Sequence, residues 1–339
     1  CDAQPGLCGG ACMTVSVYNL RLERIGVIET WVSLVWQECY NTEGSFQLEV
    51  RQRSDLLPLL KPEYYCGLTG HDTLMVIKSR QIKDGTIVVN GFPATHILHD
   101  RVSTDVVSNE NAEAAMRRLF AAMAPYPCLE LGESAGLTAN YAPQISDRSL
   151  KEYFENIAQE CGLGFWFRHD KKARKLLFEV YQRGENKNAK YSTAYGNMGD
   201  IAHSVTTNGY KNVAVVAGAG AGDARITVLA GNTSATGADR REMYVDARQE
   251  QPKDGESDAA YKARLVALGE QKLVEQIKVE NITFTLDDDR ARLGDIVFCY
   301  IPEIGVNVKA RVIGMTETSQ DNVTTREAAI GTPVVVRRY

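Results

Sequence analysis

Short runs of β-branched and aromatic residues, broken every few positions by turn residues, commit most of this 339-residue chain to sheet. The clearest case is TLMVIKSRQIKDGTIVVNGF, where two strand-like runs flank Asp84-Gly85. That dipeptide readily takes the positive φ angles of a two-residue hairpin turn. MTVSVYNL, RIGVIETWVSLVWQECY, GSFQLEVRQ and EYYCGLTG come before it, and PATHILHDRVS after it adds one helical turn. Residues 13–105 therefore read as a first β-barrel domain or closed meander.

The pattern then changes period. NENAEAAMRRLFAAMA is built from helix formers, with Asn109 as its expected cap and Pro125 just past its end. DRSLKEYFENIAQECG reads as a second helix. Asp147 caps it, Leu150, Phe154, Ile157 and Cys161 share one face, and Gly162 stops it. GFWFRHDKKARKLLFEVYQ follows as a hairpin turning between Asp170 and Lys175, and RGENKNAKYST reads as a polar loop. Residues 106–196 thus form an α+β middle domain. Strands return over 197–339, a second β-barrel domain interrupted by a helix at about 257–278. Ser257 caps that helix, and Tyr261, Leu265, Leu268 and Ile277 form its apolar stripe. The expected fold class is α+β and β-rich, with two barrels around an inserted α+β domain. A weak internal echo supports the doubling: Tyr64–Gly91 and Ile296–Gly331 run through the same order of strand, turn, strand and strand.

Composition narrows the function. A net charge of −5 argues against a dedicated nucleic-acid binder, which needs a clear excess of Lys and Arg on one face. No apolar run approaches the roughly 18 residues of a membrane span. Cys39, Cys66, Cys128, Cys161 and Cys299 stand singly among apolar neighbours and read as free structural thiols. Cys1, Cys8 and Cys12 crowd into CDAQPGLCGGAC, whose spacing matches no zinc pattern. Met13 reads as the start of the folded chain, and residues 1–12 as a flexible arm.

Each candidate for chemistry has a plainer reading. In NVAVVAGAGAGDARITVLAG, Gly218 and Gly220 fit the first two places of a dinucleotide fingerprint, but Asp223 stands at the third. Ile226, Val228 and Ala230 then alternate as a strand where a helix is needed, so Gly218, Gly220 and Gly222 belong to a hairpin loop. No Walker sequence is present. His96 and His99, three apart with Asp100 next, suit a metal pair only if a further ligand comes near, and His71 is the nearest other histidine. Asp287, Asp288, Asp289 and Asp295 lack calcium-loop spacing and sit beside Arg290 and Arg292, as in a self-neutralising turn. No nucleophile motif is visible. No catalytic, cofactor-binding or metal residue is assigned, and no cofactor is implied.

Longer segments carry a resemblance. GYKNVAVVAGAGAGDARITVLAG, DRREMYVDARQ, the helix from Ser257, RLGDIVFCYIPEIGVNVKARVIGMTET and AAIGTP resemble a family of tail-tip or baseplate hub proteins of long non-contractile-tailed phages. GSFQLEV, LLKPEYYCGL and MVIKSRQIKDGTIVVNGFPATHILHDR resemble it too, so the likeness spans roughly residues 14 to 335. The resemblance implies a non-enzymatic virion protein of the tail tip, with two tail-tube-like barrels and an extra α/β domain, assembled as a homotrimer. Its pseudo-six-fold ring would adapt a tail tube or distal tail protein to a three-fold tip. It would meet the tape measure protein and tip or receptor-binding proteins, and pass DNA without binding it specifically. The alternative is a tail-associated cell-wall-degrading or carbohydrate-binding protein with its site in the middle domain.

Overall fold

A computed structural model describes residues 13–331, apart from 106, 108, 142–147, 275, 277–278, 287–289 and 321–322. The expectations for residues 1–12, Asp147, Ile277 and Asp287–Asp289 lie outside the described residues. The chain divides into two compact units, one of residues up to 202 together with 282 onward, the other of 203–281.

The first unit opens with β1 (Val15–Tyr18), β2 (Arg24–Ile28), β3 (Ser33–Cys39), β4 (Ser45–Arg51), β5 (Tyr65–Leu68), β6 (Met75–Lys83) and β7 (Thr86–Pro93). β6 and β7 form the expected hairpin, with Asp84 at φ 50° and Gly85 at φ 78° in its turn. Alternation in β4 buries Phe46, Leu48 and Val50 with Trp36, Leu34, Val89 and Ile87 in one core. The helical turn that follows is a 3-10 segment, Ala94–Asp100.

Next come β8 (Val102–Ser103), β9 (Glu110–Asn111), α1 (Ala112–Ala122), β10 (Leu129–Leu131), β11 (Asn140–Tyr141), β12 (Arg148–Ser149), α2 (Leu150–Cys161), β13 (Gly164–Asp170) and β14 (Lys175–Tyr181). The first helix is capped by a residue other than the one expected. Asn111, not Asn109, accepts the Ala114 amide at 2.9 Å, while Asn109 takes φ 34° before the helix begins. Ser149 caps α2 through the Glu152 amide at 3.2 Å, and Gly162 ends it at φ 63° as expected. The helices cover the β13–β14 hairpin around Phe178, which stacks on Phe120 at 4.7 Å and on Phe154 at 5.1 Å. Tyr18, Tyr65, Leu74 and Val76 join this same cluster, so the helical core is continuous with the back of the first strands.

The segment expected as a polar loop is a strand, β15 (Glu185–Ser192). It is followed by β16 (Met198–Thr206), and the unit closes, after the second unit, with four more strands. The second unit holds β17 (Val213–Ala217), β18 (Thr227–Gly231), β19 (Glu242–Asp246) and α3 (Asp258–Val274). The closing strands are β20 (Val279–Leu286), β21 (Ile296–Ile301), β22 (Val306–Gln320) and β23 (Val323–Ile330). Thirteen strands of the chain share one sheet, running β16-β20-β23-β22-β3-β4-β7-β6-β5-β1-β2, with β21 on β22 and β15 on β21.

This order contains a repeat that the sequence only hints at. The first set runs β3-β4-β7-β6-β5-β1 and the last runs β16-β20-β23-β22-β21-β15. Ranked by place in the chain, both read second, third, sixth, fifth, fourth, first. The echo between Tyr64–Gly91 and Ile296–Gly331 is the β5-β6-β7 meander matched to β21-β22-β23. β6 and β22 each carry a register shift, between Ile77 and Ser79 and between Val312 and Gly314. The sets differ where β1 pairs β5 antiparallel but β15 pairs β21 parallel. Antiparallel pairing of β22 with β3 joins them.

The strands of the second unit form a sheet of their own, where one shared with the closing strands was expected. β17 pairs β18 antiparallel and β19 parallel, making a separate three-stranded sheet with α3 packed on it. Ala214, Val216 and Ala230 face Tyr261 and Leu265, a small-residue floor that lets a helix lie close. Gly269 completes the fit, because a Cβ there would stand 2.6 Å from Val216 and 2.7 Å from Ala230. Ser257 caps the helix through the Ala260 amide at 3.3 Å, as expected.

Candidate functional site

The glycine loop after β17 is a hairpin connection whose first two amides are already hydrogen-bonded. Gly218 N–H donates to the Ile226 carbonyl at 2.8 Å, and Ala219 N–H donates to the Tyr261 hydroxyl at 2.8 Å. Arg225 donates to the Gly218 and Ala217 carbonyls at 3.2 and 3.1 Å and pairs with Asp246 at 2.9 Å. A phosphate cradle needs outward-facing amides ahead of a helix N-terminus. Here two amides point into their own unit, and a 3-10 turn, Gly222–Ala224, takes the place of the helix.

The most developed polar cluster lies in the first unit, where β3, β22 and the β13–β14 hairpin border a cleft of about 490 Å³. His71 stands between two carboxylates, Nδ1 3.2 Å from Glu38 and Nε2 3.3 Å from Glu317. Glu38 is on β3 and Glu317 on β22, so the imidazole spans the joint between the two strand sets. Thr73 and Trp36 donate to Glu38, and the Trp36 ring lies 5.7 Å from His71. Arg326 of β23 stands 3.6 Å from Glu317. Burial opposes the charged imidazolium, but the two carboxylates outweigh it and lift the His71 pKa to about 10. Burial likewise opposes ionisation of Glu38, yet hydrogen bonding and charge from His71 hold it below the ordinary value. A second hydrogen bond from His71, through Nε2, lowers Glu317.

That electrostatic pattern decides what the pair can do. A glycosidase acid must carry its proton near neutral pH, which requires a raised pKa. Glu38 and Glu317 are both pushed the other way, into an ion-pair clamp. A second clasp lies nearby in Tyr40. Its hydroxyl donates to the Gly162 carbonyl at 3.1 Å, and the Arg311 guanidinium sits 5.0 Å over its ring. Gly164 leaves the ring room, since a Cβ there would fall 2.5 Å from it. Arg311 in turn donates to the Arg183 and Gly294 carbonyls at 2.9 and 2.6 Å. Tyr40 thus ties β3, the end of α2 and β22 together.

The histidines weighed from sequence fall into two groups. His71 belongs to the clamp, while His96 and His99 meet Glu43 from the β3–β4 turn. Asp100 is exposed and takes no part in that group. Asp295 is buried and accepts from Asn186 at 2.7 Å and from the Arg292 amide at 3.1 Å, as in a turn anchor. The clamp could not be read from sequence, because Glu38, His71 and Glu317 come from three distant segments.

Residues 14–332 match the family described as Siphovirus ReqiPepy6 Gp37-like protein. No curated protein matches the sequence. In fold, the chain is similar to a tail protein from Neisseria meningitidis MC58, at 15% identity and TM-score 0.61, covering 95% of this chain and 97% of that one. It is also similar to the 43 kDa tail protein of prophage MuSo2 from Shewanella oneidensis, at 10% identity and TM-score 0.60, covering 94% and 97%. Prophage tail protein gp18 from Listeria monocytogenes EGD-e gives 11% identity and TM-score 0.51, covering 95% and 94%. Among the described residues, no helix is long and apolar enough to cross a membrane.

Proposed function

Because the chain belongs to the Siphovirus ReqiPepy6 Gp37-like family, we propose that it is a structural hub of a phage tail tip. In this reading it acts in the virion tail without catalysis. The observation that carries it is the repeated strand order, β3-β4-β7-β6-β5-β1 and β16-β20-β23-β22-β21-β15. Two matching strand sets per chain behave as two tube-like barrel modules, and three chains then present six similar modules around one axis. Such a ring docks a six-fold tube or distal tail ring on one side and a three-fold tip on the other, the symmetry closing the assembly.

The clamp suits that role, since a ring that transmits load needs its two modules held at a fixed angle. His71 and Tyr40 act across the joint between them. Net charge of −5 keeps a DNA conduit from gripping its cargo. Tape measure and receptor-binding proteins are the partners expected on the two faces. The fold likeness to tail proteins of Neisseria, Shewanella and Listeria supports the reading. Gold-labelled antibody against the chain tests it: label should sit at the end of the tail distal to the capsid. Label along the tube or at the capsid contradicts the proposal.

A further inference from the structure

The second histidine cluster shares no residue with the clamp and sits on the 3-10 segment Ala94–Asp100. In a 3-10 helix residues i and i+3 eclipse, so His96 and His99 stack on one side of the segment. Their rings meet edge to face at 4.8 Å, and Phe92 stacks under His96 at 4.5 Å, fixing its plane. Glu43 enters from the β3–β4 turn with one oxygen 2.8 Å from His96 Nδ1 and the other 3.7 Å from His99 Nε2. The two imidazole nitrogens and the carboxylate oxygen all lie within 4.8 Å of one another.

A cation already sits among these groups. Lys151, only 6% exposed, places Nζ 3.1 Å from Glu43, 3.0 Å from His99 Nε2 and 3.3 Å from Glu155. An ammonium has only protons to give, so in this contact His99 Nε2 accepts. Two carboxylates, Glu43 and Glu155, face this one ammonium. Lys151 sits at the start of α2 on a flexible four-carbon stem, and a metal enters only if its ammonium swings off His99 and Glu43.

We infer that Glu43, His96 and His99 form a site for a divalent transition-metal ion of the zinc type, which displaces Lys151 from the cluster. Two imidazoles with one carboxylate suit zinc and its neighbours rather than calcium or magnesium, which prefer oxygen alone. Metal bonds near 2.1 Å set the donor atoms roughly 3.4 Å apart, so the 2.8 Å contact of Glu43 with His96 Nδ1 must open while the wider spacings, up to 4.8 Å, close. The ion would link the β3–β4 turn to the 3-10 segment, with the fourth position filled by water or by Glu155.

The test titrates Zn²⁺ into the full chain by calorimetry and repeats the titration with Co²⁺, read by its visible absorption. About one ion per chain should bind, and Co²⁺ should give nitrogen–oxygen ligand-field bands without thiolate charge transfer. That spectrum separates this site from Cys1, Cys8 and Cys12. His96→Ala and His99→Ala should each weaken binding roughly tenfold or more, while Lys151→Met, which removes the competing ammonium, should strengthen it. Circular dichroism of each metal-free variant checks that it is folded, and His99→Asn serves as a second, smaller change at the same position. No binding by the wild-type chain, a thiolate spectrum, or affinity unchanged in the folded histidine variants overturns the inference.

Discussion

Replacing His71 with glutamine removes the positive charge from the clamp while keeping a neutral hydrogen-bonding side chain of similar size. The imidazolium lies within 3.3 Å of both Glu38 and Glu317, and the three side chains are only 15–19% exposed. A rise in the His71 pKa from 6.5 to about 10 corresponds, at about 1.4 kcal/mol per unit, to an upper limit of roughly 5 kcal/mol. Leaving two part-buried carboxylates without their cation costs at most about 3–5 kcal/mol, the range for broken fully buried pairs. Because Arg326 remains 3.6 Å from Glu317, His71→Gln should lose about 3 kcal/mol at pH 6.

The pH profile follows from the direction of each shift. His71 is raised, so its contribution is complete below about pH 6.5 and is lost as pH climbs through about 10. Glu38 and Glu317 are lowered, so theirs is complete above about pH 4.5 and is lost as pH falls. The clamp is therefore strongest between about pH 4.5 and 6.5. Urea unfolding followed by tryptophan fluorescence reads it directly, since Trp31, Trp36 and Trp166 all belong to the first unit. Protein concentration is held constant, so that assembly does not shift the midpoint. The gap between wild type and His71→Gln should close by about pH 10.5. A gap below about 1 kcal/mol at pH 6, or one that does not change with pH, refutes the reasoning.

Three further outcomes are expected. Phe178→Ala removes the fully buried ring between Phe120 and Phe154 and should cost about 3–5 kcal/mol in urea unfolding of the first unit. Gly218→Val should loosen the second unit, because a Cβ there meets the Tyr261 hydroxyl at 2.5 Å and Leu265 at 2.7 Å; hydrogen exchange over 203–281 should quicken by the equivalent of about 1–3 kcal/mol. Glu113→Gln weakens a carboxylate that accepts from Ser134 and from the Ala135 and Leu137 amides, holding its pKa below normal despite burial. The difference between that variant and wild type should be present above about pH 4.5 and vanish on acidification, as read from thermal midpoints across pH.

Local signals in the sequence carried most of the element assignments. Asp84-Gly85 marked its hairpin and Gly162 its helix end, because each depends on one residue's own backbone freedom. The β15 strand is hidden in the sequence because Glu185, Lys187, Asn188 and Lys190 are all exposed. Only Ala189, Tyr191 and Ser192 are buried, too few to show a period. The α1 cap lies two residues past the expected one, since Asn109 and Asn111 are the same residue type and only the backbone path chooses between them. Placement of the β17–β18 hairpin failed for a different reason. Alternating residues state that a strand exists, and a small-residue face covered by α3 looks the same as one covered by another sheet. Of the polar clusters, His96 and His99 were visible as a spaced pair, but Glu43 and Lys151 arrive from segments about 50 residues away on either side. Contacts of that range leave no local trace.

The repeated strand order makes a specific demand on assembly, and native mass spectrometry of the purified chain at micromolar concentration meets it most directly. The account predicts a dominant species of three times 37.4 kDa. A single species at 37.4 kDa at every concentration and salt tested would contradict the hub.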